Sequence, residues 1–129
     1  MKEIVFSSTT RLATAIRKRK ITTQEALDAF LAQINKHNPA LNAVNIIGAD
    51  QAKERAHTAD EALARGELWG PLQGVPFTLK DSHSTAGMRT TIGFPPCADK
   101  AYERISKPAW LLTISANASV SLISKPVLR

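Results

Sequence analysis

The sequence predicts an α/β fold in which helices precede the first strands of an incomplete mixed sheet. Residues 21–38 and 49–65 carry apolar side chains at helical spacing. Residues 41–47 and 75–79 are short runs containing β-branched side chains, bounded by turn-forming residues and too short for helices. From Gly66 to Pro96 glycine and proline punctuate the chain, and helical periodicity disappears.

Residues 10–19 place Leu12, Ala15 and Ile16 on one side and run into Arg17-Lys18-Arg19-Lys20, a basic cluster that suits a solvated helix C-terminus. Residues 21–38 form the best-defined helix. Thr22 and Glu25 make a capping box, in which each side chain takes up a backbone N–H that the first turn leaves without a partner. Leu27, Phe30, Leu31 and Ile34 share one face and must pack, and Asn38-Pro39 supplies the stop. Residues 41–47 are a strand or extended connector, with Val44, Ile46 and Ile47 buried. Residues 49–65 are an alanine-rich helix with Ala52, Ala56, Ala59 and Leu63 along one side and Gly66 just past its end. Small residues there allow close approach to a sheet, and Trp69 is expected to anchor the turn-rich connector 66–74 on that sheet. His37 and His57 fall at solvated helix positions.

Residues 75–79 are expected to be a buried strand. Pro76 cannot donate to a central ladder, so this strand should be short and deliver Lys80 at its C-terminal end, where open α/β sheets place their ligands. Alternation along a strand then turns Asp81 away from Lys80. Ser82, His83 and Ser84 read as loop polarity, because neighbours in an extended loop do not converge on one substrate atom. Gly87 and Gly93 suit a loop lining a pocket, with Thr90 and Thr91 offering hydrogen bonds there.

The 129 residues suffice for one domain, and 43% hydrophobic with 22% charged residues is a globular composition. Cys97 is the single cysteine, which excludes an internal disulfide and argues against a metal cluster. No apolar run approaches the roughly 20 residues of a membrane span, and Glu3 beside Lys2 does not begin a signal peptide, so the default location is cytoplasmic. The formal charge of +6 lies at both ends of the chain while the middle is neutral. With no aromatic stacking platform beside the basic cluster, nucleic acid is not the expected partner.

The words G-P-L-Q-G-V-P-F-T-L-K-D, residues 70–81, and T-A-G-M-R-T-T-I-G, residues 85–93, resemble the amidase signature family. Its members are serine-dependent C–N hydrolases, including bacterial amidases and the A subunit of tRNA amidotransferases. The preceding helices and the L-N-A-V segment follow the same order, so the resemblance covers about residues 10–96. It implies that residues 1–96 are the N-terminal portion of an amidase α/β/α domain, that Lys80 is the general base of a Ser, cis-Ser, Lys triad, and that the substrate is a small amide, with no cofactor or metal. In that chemistry a neutral lysine accepts, through the cis-serine, the proton of the attacking serine. An ordinary lysine titrates near ~10.4 and has to be brought towards roughly 7–8 for such work. The family's two serines lie in a glycine-rich segment that these residues do not contain; the only adjacent serines are Ser7 and Ser8.

The resemblance implies an amidase-family fragment that carries the base lysine, lacks the serine pair and is inactive alone. The alternative is a non-catalytic binding or regulatory module reusing the amidase N-terminal part. Residues 97–129 form a tail without the resemblance: no acidic residue follows Glu103, and serine, leucine and isoleucine alternate with no structural period. Read one frame over with free synonymous codons, residues 107–120 gain an amphipathic helical pattern. The tail is therefore expected to be a frameshifted or truncated end that was never selected to pack. An uncovered apolar stripe and strand edge are expected to promote self-association.

Overall fold

A computed structural model of the chain describes residues 2–83, 88–91, 94, 96, 113–114 and 119–121. The described elements, in order, are α1 (Lys2–Val5), α2 (Thr9–Arg17), α3 (Thr23–Leu41), β1 (Ile46–Ile47), α4 (Ala49–Ala64), β2 (Thr113–Ile114) and β3 (Ser119–Ser121).

Two of the three long helices start where a side chain satisfies their first N–H groups, while α4 starts on Gly48 without a side-chain cap. Ser8 Oγ accepts from the Arg11 amide at 3.3 Å and opens α2. At the head of α3 the predicted capping box is present, with Thr22 N donating to Glu25 Oε2 at 2.7 Å and Glu25 N to Thr22 Oγ1 at 3.0 Å. These hydrogen bonds from Thr22 hold the Glu25 carboxyl below its ordinary value. The two remaining donors of that turn go to a residue no local pattern indicates. Asp60, on α4, accepts from Thr23 N at 2.7 Å and from Gln24 N at 3.2 Å, so the start of α3 is fastened beside the end of α4.

The helix ends differ from expectation in two places, since α2 stops at Arg17 rather than at Arg19 and α3 runs on. α3 does not stop at Asn38-Pro39 but runs through Pro39 to Leu41. In the last turn proline forfeits a single ladder bond, and Asn38 compensates as a hub. Its Oδ1 accepts from Ala43 N and Val44 N at 2.9 and 2.8 Å, its Nδ2 donates to Val44 O at 2.8 Å, and its carbonyl takes the Asn42 amide. Asn42, in the left-handed region at φ 46°, turns the chain away. α4 ends as predicted on Gly66, at φ 80°, with Gly66 N donating to Leu63 O and Glu67 N to Ala62 O, the paired bonds of a Schellman motif.

Strand structure is sparser in the middle of the chain than predicted, and extends into the tail. Of residues 41–47 only Ile46–Ile47 forms a strand, because Leu41 belongs to α3 and the Asn38 side chain occupies the backbone of Ala43 and Val44. Residues 75–79 run without a ladder, Leu79 alone being a bridge residue. Pro76 offers no N–H, and the Val75 amide is spent on Leu72 O at 3.1 Å. β1 pairs instead in parallel with β3, Ile46 opposite Ser119 and Ile47 opposite Val120, and β3 pairs antiparallel with β2 in the order β1-β3-β2. These two strands fall in residues 97–129, where no strand was expected; Thr113, Ile114 and Val120 supply the β-branched residues that extended backbone favours.

The core lies between α3 and α4. Leu27 packs on the alanine face Ala52, Ala56, Ala59 and Ala62, and Trp69 closes this cluster. The tryptophan thus anchors the connector on helices rather than on a sheet. A second cluster joins Leu12 and Ile16 of α2 to Ala26, Leu63 and Val75. The basic run at the end of α2 is exposed throughout, as expected, and its two arginines also reach backbone carbonyls. Arg17 Nη2 donates to Pro71 O at 2.9 Å, while Arg19, at φ 52°, donates to the Leu63 and Ala64 carbonyls at the end of α4. Planar guanidinium groups suit such carbonyl capping.

Candidate active site at the Lys80 loop

The segment carrying Lys80 is seated from behind by two residues of the G-P-L-Q-G word. Gln73 is buried; its Oε1 accepts from Trp69 N at 2.8 Å, and its Nε2 donates to Ala59 O at 3.3 Å, tying the turn to α4. Gly74, at φ 81°, lies directly against α2 and α3: a Cβ there would stand 2.5 Å from Thr23 Oγ1 and 2.9 Å from Ile16 Cγ2. Only glycine allows that approach. Val75 and Pro76 are buried, Phe77 is partly buried, and the chain emerges at Thr78.

Lys80 is exposed and Asp81 is buried at 6% of its free surface, so the two side chains point to opposite sides, as predicted. The turn after them closes with His83 N donating to Lys80 O at 2.9 Å. The Asp81 carboxylate accepts the Thr91 amide at 3.1 and 3.2 Å and also the Thr91 hydroxyl. This pulls the far end of the loop back beside its start. Of the two threonines it is Thr91 that binds the carboxylate, while Thr90 is buried at 2% exposure. Ser82 and His83 are exposed. Ser84, Gly87, Gly93 and Cys97 lie outside the described residues.

Two positioning residues escaped the sequence reading. Gln73 had one visible signal, an uncharged amide between two glycines in an otherwise apolar word. Asp81 had none, since its partner is ten residues on. No group of three or more His, Cys, Asp or Glu side chains able to hold a metal occurs among the described residues. Among them, too, no helix is long and apolar enough to cross a membrane.

Helices packed beside a small mixed sheet, with an exposed lysine following a glycine- and proline-bounded turn, define an α/β fold. The family model described as Amidase matches residues 25–106. The A subunit of the glutamyl-tRNA(Gln) amidotransferase of Neorickettsia sennetsu is 36% identical over 91 residues, which cover 70% of this chain and 19% of that protein. An acylamidase of Rhodococcus erythropolis is 33% identical over 92 residues, covering 71% of this chain and 19% of its own length. Among solved structures, a bacterial aryl acylamidase of the amidase signature family superposes with a TM-score of 0.71 at 24% identity, over 95% of this chain and 26% of that one. The chain belongs to the amidase signature family, and it spans about a fifth of the length of the curated relatives it matches.

Proposed function

We propose that this chain supplies the lysine side of an amide-hydrolysing or amide-transferring site, and that Lys80 is its general base. The observation that carries this reading is the way the G-P-L-Q-G-V-P-F-T-L-K-D segment folds. Gln73 and Gly74 fix it to the helices, Asp81 turns inward to hold Thr91, and Lys80 is left on the open side. Facing the serine pair of an amidase, such an amine takes the nucleophile's proton during attack and returns it to the leaving nitrogen. The substrate is a small amide, no cofactor takes part, and the location is cytoplasmic.

Because the glycine-flanked serine pair is not among these residues, the chain by itself forms no acyl-enzyme. Purified protein is expected to show no turnover of an aryl amide; activity abolished by Lys80→Ala and surviving repurification would overturn that. The role of Lys80 is tested in a chimera. Residues 25–106 replace the matching segment of the Rhodococcus acylamidase, and hydrolysis of its amide is measured. Activity in the chimera that falls by at least ~10²-fold, the usual scale of a lost general base, in both Lys80→Ala and Lys80→Arg supports the assignment. A folded chimera equally active with either substitution refutes it.

A further inference from the structure

α1, α2 and the turn after α2 line a groove of about 770 Å³. Its lining includes the apolar residues Ile4, Phe6 and Ile21, of which Phe6 is 80% exposed. Its rim is cationic: Arg11, Lys18 and Lys20 line it, and no acidic residue does among those described. The basic run is thereby divided by function. Its arginines cap backbone carbonyls, while its lysines and Arg11 make no ion pair among the described residues.

We propose that this groove docks an acidic amphipathic helix of a partner protein. A groove lined by apolar side chains and by charges of one sign is met by a helix whose apolar anchors recur at i, i+3, i+4 and i+7 and whose flanks carry Asp and Glu. Complementary charge sets the register and speeds encounter, and a neutral or basic partner would leave three cations facing the contact without counter-charge. A second copy of this chain is a poor fit, because two bodies of formal charge +6 repel and the groove would bring like charges together. A small-molecule ligand is also disfavoured: such sites bury most of their ligand, whereas Phe6, Arg11, Thr14, Lys18 and Lys20 all stand open to solvent.

The test uses the full chain and a fluorescent synthetic helix of about four turns, with leucine at the anchor positions and glutamate elsewhere, followed by anisotropy. Saturable binding that weakens with added salt is expected. Phe6→Ser and the pair Lys18→Glu with Lys20→Glu should each weaken it about tenfold or more. These side chains are exposed, and far-UV circular dichroism confirms that the variants fold. The same peptide with lysine in place of glutamate should not bind. The proposal fails if the basic peptide binds as well as the acidic one, if binding is absent or unchanged in both variants, if the chain binds anionic vesicles and not the peptide, or if sedimentation shows a dimer that Phe6→Ser abolishes. None of these outcomes depends on Lys80, so the catalytic reading stands or falls separately.

Discussion

Gly74→Ala is expected to be far more damaging than the same substitution at Gly66. Two costs add. At φ 81° an L-residue occupies the left-handed region, at about 1–2 kcal/mol. The new Cβ would also meet Thr23 Oγ1 at 2.5 Å and Ile16 Cγ2 at 2.9 Å, distances at which something must move. Both neighbours are fully buried, at 0% and 1% exposure, so neither can swing into solvent. Overpacking of that kind costs about 1–3 kcal/mol, for a total of roughly 2–5 kcal/mol. Gly66 provides the control. Its φ is 80°, yet nothing lies within 4 Å of its Cβ position, so Gly66→Ala should cost only the backbone share, about 1–2 kcal/mol. In urea, with a slope of ~2 kcal/mol per molar, Gly74→Ala should lower the midpoint by about 1–2.5 M. Adding Thr23→Ala should return part of the loss by making room. If Gly74→Ala costs no more than Gly66→Ala, the close seating of the Lys80 segment on α2 and α3 is wrong.

Four further outcomes are expected. Asp60→Ala removes the charged acceptor for two amides at the head of α3 and should cost about 2–3 kcal/mol; a loss under about 0.5 kcal/mol, the usual range for an inert surface site, would count against it. Glu25 has a lowered pKa in the folded chain, so its contribution is fully present above its unfolded value, near ~4.3, and is lost as pH falls through the folded value. The stability gap between native protein and Glu25→Gln should therefore be flat above pH ~5 and shrink in acid; a gap that grows there would contradict the capping geometry. Asp81→Ala should speed hydrogen exchange at the Thr91 amide while leaving the amides of α3 unchanged, since the carboxylate is that amide's acceptor. Sequencing the coding DNA should show that a one-base shift between codons 99 and 107 restores an amidase-like continuation; if neither alternative frame does, the tail has another origin.

What local pattern could carry was legible in the residues. The Thr22–Glu25 box, the alanine face of α4, the Gly66 stop and the opposite facing of Lys80 and Asp81 all arise from neighbours within a few positions. The errors share a cause, which is partners distant in sequence. Pro39 looks like a terminus until the Asn38 side chain is seen holding the outgoing backbone. Arg17 and Arg19 are exposed, as their sequence implies, but no local pattern shows that they also donate to carbonyls 54 and 44 residues away. Asp60 is an ordinary helix residue in sequence, and its role depends on α3 lying against α4. The run at 75–79 has strand composition, but a strand also needs a neighbour to pair with, and β1 pairs elsewhere. At the candidate site the motif singles out Lys80, whereas the contact that shapes its loop, Asp81 on Thr91, joins residues ten apart that no local pattern pairs.

The parallel pairing of β1 with β3 also sets an order of events during synthesis. Helices α2, α3 and α4 and the turn that Gln73 locks all leave the ribosome before Ser119 is made. At 5–20 residues per second the partner of Ile46 and Ile47 arrives about 4–15 s later. Helix docking is far faster than that, so a nascent helical body exists for seconds with β1 unpaired at its margin. That interval, rather than the finished molecule, is when a holdase chaperone has the most to protect.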